Sequence, residues 1–234
     1  MDFHIAPLAP EDVNLVVKLH LRAFPDFFLS FLGPRFLREF YLSFLADPVG
    51  MAFVARNEHD GVVGAIVGPL DPRGFFGRLL RRRWWAFCLA SVAALLQRPS
   101  SASRLARALV YRGEAPVGPV RALLSSIAVS PDAQGQGIGR ALVQRWLEEA
   151  RSRGARGCFL TTDAENNDLV NRFYLSQDWK LESAYTTPDG RKMNRYEYDF
   201  DCEGGPAAGR EGQGAKREGG AARGEAQRAK GSTE

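Results

Sequence analysis

Over Leu123–Arg153, a strand-like apolar run leads through closely spaced glycines into a helix. The run Leu123–Val129 ends in a proline-containing turn, and Gly135, Gly137 and Gly139 follow it. Glycines in such a turn let the backbone approach a ligand closely, and the first N–H groups of the next helix have no acceptor inside that helix. Because a helix N-terminus also carries partial positive charge, the segment predicts a site for a phosphate or pyrophosphate.

The spacing of these glycines excludes two common phosphate-binding motifs. A dinucleotide-binding turn needs G-x-G-x-x-G, but Arg140 stands where the third glycine would be when the motif starts at Gly135. A P-loop needs a lysine followed by serine or threonine after its last glycine, and no such pair follows Gly139. The turn is therefore of another kind.

Patterns of apolar residues divide most of the chain into short strands and helices. Strand patterns fall at Phe3–Pro7, Met51–Arg56, Val62–Val67, Val120–Val129, Cys158–Thr162, Trp179–Thr186 and Lys192–Phe200. Helical spacing occurs after Pro10 as far as Ala23, from near Pro34 to Leu45, and over Gly137–Arg153 and Asn167–Gln177. Strands that are interleaved with helices and closed by a hairpin favour an α/β fold with a mixed sheet.

Two segments fall outside this pattern. Residues 72–119 combine a glycine-rich turn, a basic run and the apolar stretch Trp84–Leu96, and we interpret them as a helical insertion before the central strand. Trp84–Leu96 is shorter than the ~20 apolar residues that a membrane span needs, so a buried helix is favoured and contact with a membrane surface is the minor alternative. Residues 203–234 contain no aromatic or large aliphatic side chain, which predicts a disordered tail after a domain at 1–202.

The charge balance limits the kinds of binding partner, and the cysteines limit the cellular compartment. The 234 residues carry 31 basic and 27 acidic side chains, and this formal net charge of +4 does not indicate a specific nucleic acid as partner. Cys88, Cys158 and Cys202 lie outside any C-x-x-C spacing, so we expect no metal site and no disulfide framework. No basic start leads into an apolar run at the N-terminus, which favours a cytoplasmic protein. The sequence leaves a homodimer open.

Two segments resemble the GNAT family of N-acetyltransferases. Gln134-x-x-Gly137-x-Gly139 matches the family's Q/R-x-x-G-x-G/A signature, in the same context of strand, turn and helix. The segment Asn167–Trp179 is similar to the family's N-x-x-A-x-x-F-Y-x-x-x-G-F motif. The resemblance implies a mixed, mostly antiparallel sheet flanked by helices. It also implies an acyltransferase that moves an acetyl group from acetyl-CoA to a primary amine by direct attack of the amine on the thioester.

The second segment departs from the family motif at two positions. Val170 replaces the usual alanine, and Asp178 replaces the usual glycine before the aromatic residue. A helix C′ position prefers glycine but admits aspartate at some cost, so this departure weakens the match without breaking it. By the resemblance, Tyr174 is the catalytic acid that protonates the departing thiolate. Asn167 would contact the coenzyme, cap the helix that follows it, or do both.

The resemblance assigns the coenzyme mainly to backbone groups. Ile127 and Val129 would pair with the pantetheine arm, and an N–H of their strand would point at the thioester carbonyl. The N–H groups of the glycine turn would hold the pyrophosphate. The full set of predicted cofactor-binding residues is Ile127, Ala128, Val129, Gln134, Gly135, Gln136, Gly137, Ile138, Gly139, Arg140 and Asn167.

The general base and the acceptor amine stay open in the sequence. The family often places a glutamate on the strand before the glycine turn, where this chain has Ser125 and Ser126. Asp163 and Glu165 are the nearest acidic candidates, and a water chain to solvent is an equal alternative. The histidines are isolated, and we interpret them as surface or packing residues. Amino sugars, small amines, antibiotics and protein N-termini all stay open as acceptors, and a non-catalytic acyl-CoA-binding sensor or scaffold is the alternative from another class.

Overall fold

The computed structural model describes residues 2–25, 28–59, 61–79, 81, 121–188 and 190–200, all within the unit Met1–Glu203. The described strands form two four-stranded sheets, with the orders β1-β2-β3-β5 and β4-β6-β8-β7. Their bounds are Phe3–Pro7 (β1), Gly50–Asn57 (β2), Val62–Pro69 (β3), Arg121–Leu123 (β4), Ser126–Val129 (β5), Gly157–Asp163 (β6), Lys180–Thr186 (β7) and Lys192–Asp199 (β8). All neighbouring strands are antiparallel except β4 and β6, which are parallel. The predicted mixed, mostly antiparallel α/β fold is confirmed.

Helices cover both faces of the first sheet. Their bounds are Val13–Ala23 (α1), Phe28–Phe31 (α2), Gly33–Ala46 (α3), Ile138–Ser152 (α4) and Asp168–Leu175 (α5). Helices α1 and α3 pack on one face, in an apolar cluster that includes Val16, Leu37 and Val67. Helix α4 packs on the other face and, together with α5, covers one face of the second sheet. A strand with helices on both sides buries both of its faces, which explains why β3 reads as a continuous apolar run.

Helix α4 forms where the sequence predicts it because its apolar residues lie on one stripe. Leu142, Trp146 and Ala150 are each fully buried, at helical spacing. Gly154, with φ of +85°, ends the helix in the left-handed conformation that favours glycine. Ala155 N–H then donates to the carbonyl of Ala150 at 3.0 Å, which completes a Schellman motif. The apolar stripe of α4 packs in one cluster with residues of both sheets.

The end of α5 shows what the replacement of glycine by Asp178 requires. Asp178 has φ of +62°, in the left-handed region, and Trp179 N–H donates to the carbonyl of Tyr174 at 3.4 Å. Trp179 is buried at 2% exposure, so this turn delivers a large aromatic side chain to the core. The aspartate therefore takes the backbone conformation that the family's glycine would take, at a steric cost.

The prediction of one continuous strand before the glycine turn is wrong. The pattern over Val120–Val129 predicts a single strand, whereas the structure places β4 in the second sheet and β5 in the first, separated by Leu124 and Ser125. The other predicted strands and the two later helices agree with the structure to within about three residues at each end. The chain therefore changes sheets in the middle of its most apolar run.

Two predictions lie outside the described residues. The helical insertion over 72–119 is described only at 72–79 and 81, where residues 75–79 are helical and Phe75 is buried. The disordered tail at 203–234 is not among the described residues at all. Within the described part of the chain, no helix has the length and apolarity to cross a bilayer.

Candidate functional site

The chain passes from the second sheet to the first between β4 and β5. Two hydrogen bonds, one to each sheet, fix this point. Leu124 N–H donates to the carbonyl of Phe159 in the second sheet at 3.0 Å, and Ser125 N–H donates to the carbonyl of Val67 in the first sheet at 3.0 Å. Gly68 lies so close to this point that a Cβ there would be 2.0 Å from the carbonyl oxygen of Leu123. The close approach of β3 to β4 therefore requires glycine at this position.

Beyond this point the two sheets separate. Among the described strands, β5 pairs only with β3, and residues Leu160–Asp163 of β6 pair only with β8. The pairing of β4 with β6 ends at Leu123 and Phe159. The facing edges of β5 and Leu160–Asp163 bound a gap that we call the wedge.

The backbone of β5 offers hydrogen-bond groups to the wedge at alternate residues. Ser130 N–H donates to the carbonyl of Val63 in β3 at 2.8 Å. Because alternate residues of a strand direct their N–H and C=O groups to the same side, Ala128 also faces β3. Ile127 and Val129 therefore direct their N–H groups away from β3 and into the wedge. These are the residues that the sequence assigns to the pantetheine arm.

The glycine turn leaves backbone N–H groups open beside the wedge. Gly135 and Gly137 have φ of +77° and +83°, and a Cβ on either would meet no atom of the described residues within 4 Å. Gly137 is the N-cap of α4 and has no side chain to cap it, so the N–H groups from Ile138 to Arg140 lack an intrahelical acceptor. The residues Gln134, Gly135, Gln136, Gly137 and Arg140 are exposed. The turn is an open cradle of N–H donors with partial positive charge.

The start of α4 contacts both the wedge and α5. A Cβ on Gly139 would lie 3.3 Å from the ring of Phe173 and 3.8 Å from a methyl of Val129. The carboxylate of Asp132, which precedes the turn, lies 2.7 Å from the guanidinium of Arg22 on α1. This exposed ion pair offsets a negative charge that would otherwise oppose anion binding at the turn. The structure thus brings the glycine turn, the end of β5 and α5 together.

Helix α5 is fastened to the end of β6 by two asparagines. The amide of Asn167 donates to Thr162 Oγ1 at 2.7 Å and to the carbonyl of Asp163 at 3.1 Å. Asn171 donates to the same carbonyl at 3.0 Å and accepts from the hydroxyl of Tyr196 at 3.0 Å. Asn167 occupies the N-cap position of α5 without forming a side-chain capping bond. Its amide group therefore holds the helix to the strand, and its contact with a coenzyme stays a prediction.

Tyr174 is buried in the core that joins α5 to the second sheet. Its ring is 4% exposed and packs edge-on against Phe173 and Trp179, with centroid distances of 5.2 and 5.7 Å. Burial raises the pKa of the Tyr174 phenol above its usual range, so the hydroxyl keeps its proton at neutral pH. The side chain is thus a packed aromatic with a protonated hydroxyl, and its role as an acid stays a prediction.

The two acidic candidates for a general base are engaged at the surface. Asp163 forms an ion pair with Arg191, with oxygen to nitrogen distances of 2.7 and 2.8 Å. Glu165 lies 2.7 Å from the ammonium of Lys192, with both side chains more than half exposed. Both pairs join the end of β6 to β8 rather than pointing a free carboxylate at the wedge. Within the described ranges, no cluster of three or more histidine, cysteine or acidic side chains could hold a metal ion.

Sequence reasoning missed two groups of polar residues at the site. Asn171 follows Asn167 by one helical turn, and this spacing could have indicated that both amides reach the same strand end. The second group is a buried pair. His20 Nδ1 on α1 lies 2.8 Å from the hydroxyl of Tyr41 on α3. The two residues are on different helices, so their proximity has no signature in the sequence.

Comparison with known proteins identifies the family. The sequence matches the Acetyltransferase (GNAT) family over residues 16–179, well over half of the chain. The ribosomal protein bS18 alanine N-acetyltransferase of Escherichia coli K12 is 34% identical over 74 residues, which are 30% of this chain and 50% of that protein. The chain therefore spans about half of the length of this curated relative.

Two solved structures share the fold. The PaiA N-acetyltransferase of Thermoplasma acidophilum, in complex with coenzyme A, has a TM-score of 0.55 and 13% identity, covering 86% of this chain and 100% of that one. The ribosomal protein S18 alanine N-acetyltransferase of Escherichia coli has a TM-score of 0.51 and 18% identity, covering 85% of this chain and 94% of that one. At these identities the two structures support the fold alone.

Proposed function

The chain belongs to the Acetyltransferase (GNAT) family, and on that premise we propose that it is an acetyl-CoA-dependent N-acetyltransferase acting on a primary amine. The observation that carries the proposal is the juxtaposition of an open N–H cradle at Gly135–Arg140 with the wedge-facing N–H groups of Ile127 and Val129. The cradle suits a pyrophosphate, and the wedge suits an extended chain with amide groups. Coenzyme A combines these two chemical features in one molecule.

The residues fit this ligand on steric grounds as well. Among the described residues, no atom lies within 4 Å of a Cβ placed on Gly135 or Gly137, which leaves room for phosphate oxygens beside the backbone N–H groups. Arg140, at the first turn of α4, is exposed beside the cradle and adds a full positive charge. Gln134, Gln136 and Asn167 are then candidates for side-chain contacts at the rim. When bound, acetyl-CoA supplies an activated acetyl thioester.

The proposed reaction includes two proton transfers, one from the amine nitrogen and one to the sulfur. The amine nitrogen forms a bond to the acetyl carbon, the bond between that carbon and sulfur breaks, and the nitrogen loses one proton to solvent. Tyr174, which holds its proton at neutral pH, protonates the sulfur and is reprotonated from solvent. No described carboxylate is required as base, because a water chain can take the proton from the amine.

The function is tested by thiol release from acetyl-CoA with a panel of amines and by mass measurement of the products. The panel contains a short peptide with N-terminal alanine, spermidine, an amino sugar and an aminoglycoside. The relative that acts on the alanine of a ribosomal protein is the reason for including the peptide. We expect amine-dependent thiol release and a product 42 Da heavier, the mass of acetyl replacing hydrogen, as the stated reaction requires. Heat protection by acetyl-CoA without thiol release would identify a binding module instead.

The role of Tyr174 is tested by Tyr174→Phe, which keeps the ring and removes only the hydroxyl. We expect kcat to fall about 100-fold, at the lower end of general-acid effects, with the Kd for acetyl-CoA unchanged. The matched control is Tyr196→Phe, whose ring lies 6.1 Å from that of Tyr174 and whose hydroxyl bonds to Asn171. This control should lose about 1 kcal/mol of stability and keep near-normal kcat. Equal kcat in Tyr174→Phe and the unaltered protein would refute the acid role.

A further inference from the structure

The two halves of helix α5 are held in place differently. The helix spans eight residues, Asp168–Leu175, of which Tyr174 is buried. A helix this short is unstable on its own in water, so its position must come from contacts with the rest of the molecule. Its second half packs into the core through Phe173 and Tyr174. In its first half, Leu169 and Val170 are instead 78% and 39% exposed. The first half therefore depends on polar contacts.

The side-chain amide of Asn171 supplies such contacts on both of its ends. Its Nδ2 donates to the carbonyl oxygens of Asp163 and Asn167, each at 3.0 Å. Its Oδ1 accepts from the hydroxyl of Tyr196 at 3.0 Å and from Nδ2 of Asn194 at 3.2 Å. An asparagine amide has two N–H donors and two acceptor lone pairs, so all four are used here. This one side chain therefore joins α5 to β6 and to β8.

The family motif gives no role to Asn171. In N-x-x-A-x-x-F-Y, which here runs from Asn167 to Tyr174, position 171 is open to any residue. The side chain is half-buried, and breaking its bonds would leave polar groups without partners next to the core. An amide that is fully bonded at a position left open by the motif is thus a feature of this chain.

The position of the Tyr174 hydroxyl depends on where α5 lies. Among the described residues, no hydrogen bond holds this hydroxyl, and the ring is placed by packing against Trp179 and Tyr196. Asn171 comes three residues before Tyr174, so the two side chains are neighbours along the helix. A shift of α5 would move the hydroxyl with it, and misplacement of a reacting group by about 1 Å can lower a rate about 100-fold.

We propose that Asn171 is a positioning residue, which clamps α5 to β6 and β8 so that the hydroxyl of Tyr174 stays within reach of the coenzyme sulfur. This inference rests on the proposed acetyltransferase function and deepens it. Asn171 itself contacts neither the coenzyme nor the amine, and it acts on the reaction only by placing the acid. In Tyr196→Phe the amide keeps three of its four bonds, which agrees with the near-normal kcat expected for that variant.

The inference is tested by steady-state kinetics with the alanine-initiated peptide and spermidine as amine probes. Asn171→Leu keeps a side chain of similar size and removes all four bonds, so kcat should fall about 10- to 100-fold. The Kd for acetyl-CoA should change less than about threefold, because the glycine turn and β5 would hold the coenzyme. The matched control is Gln177→Leu, whose amide donates to the carbonyl of Phe173 at 3.0 Å, within α5 and the turn after it. This control should keep a normal kcat, and an equal fall in both variants would overturn the inference.

The double variant separates positioning of the acid from support of the fold. If Asn171 acts through Tyr174, Asn171→Leu has no further effect on kcat in the Tyr174→Phe background. An unchanged kcat in Asn171→Leu, or an equal fall in both backgrounds, overturns the inference and leaves the proposed function standing.

A second variant keeps the test decisive if Asn171→Leu does not fold. Asn171→Asp retains the oxygen that accepts from Tyr196 and loses the N–H groups that donate to the two carbonyls. It should lower kcat in the unaltered background and have no further effect with Tyr174→Phe, and any other pattern overturns the inference. Absence of thiol release by the unaltered protein with every amine of the panel overturns the proposed function and this inference with it.

Discussion

Strands β3 and β7 differ strongly in how far their residues are exposed to solvent. Along β3, seven of eight residues are buried, whereas along β7 six of seven are exposed. The first strand lies between helices on both faces, and the second is the edge strand of its sheet. On the second sheet, exposed and half-buried charges form ion pairs, such as Arg121 with Asp199 at 2.7 Å. The two sheets flank the same wedge but are stabilised in different ways.

This difference in burial between the two sheets matches a difference in what each sheet supplies to the site. The first sheet and α4, which pack their apolar faces together, supply the backbone groups that would hold coenzyme A. The second sheet contributes residues held by hydrogen bonds and ion pairs near solvent, such as Asn167 and Asp163. Surface ion pairs contribute little to stability, so this side tolerates change in sequence more readily. Substitutions on the two sides of the wedge should therefore have unequal effects.

The largest contrast is expected for stability. Ile66→Ala in β3 removes a fully buried side chain and should cost about 3–4 kcal/mol of the free energy of unfolding. Leu181→Ala in β7 alters a side chain that is 52% exposed and should cost less than about 1 kcal/mol. Urea denaturation of the two variants measures both values. Equal losses of the free energy of unfolding would show that the second sheet is buried in solution. The two sheets would then not differ in burial as described above.

A second contrast uses the two ends of α4. Gly137 and Gly154 both have positive φ and open space at the Cβ position, so alanine at either should cost about 1–2 kcal/mol of stability. Gly137 borders the cradle, and Gly154 ends the helix far from it. We expect Gly137→Ala to raise the Kd for coenzyme A about 10-fold or more, and Gly154→Ala to leave it unchanged. Isothermal titration calorimetry measures the Kd for coenzyme A of each variant. Similar Kd values for both variants would show that the cradle does not bind coenzyme A.

The smallest effect concerns Asp178 on the second-sheet side. Its φ of +62° is strained for aspartate and natural for glycine. Asp178→Gly should therefore stabilise the protein by about 0.5–1 kcal/mol, because relief of the steric strain exceeds the added entropy of the unfolded chain. A thermal melt shows this as a small rise in Tm, with unchanged cofactor affinity. A fall in Tm would mean that the Asp178 side chain makes a stabilising contact.

Much of the fold follows from local signals in the sequence. The glycine turn and α4 were predictable because the glycines, the apolar stripe and Gly154 all act within one segment. The hairpin of β2 and β3 was predictable for the same reason. These signals do not depend on distant parts of the chain.

What the sequence could not predict depends on contacts between distant segments. The break between β4 and β5 arises because Leu124 and Ser125 bond to Phe159 and Val67, which lie on different sheets. No local breaker such as proline marks this point. His20 has no polar partner near it in the sequence, because its partner Tyr41 lies on another helix. The assignment of Tyr174 as acid came from a motif, since a buried aromatic pattern alone indicates packing.

Amide hydrogen exchange of residues 126–140, measured with and without coenzyme A, shows whether coenzyme A binds along the wedge-facing edge of β5. We expect exchange to slow at Ile127, Val129 and the glycine turn on binding. Ala128 should not change, because its N–H already faces β3. Binding of coenzyme A with unchanged exchange at Ile127 and Val129, or with protection at Ala128 alone, would contradict the account.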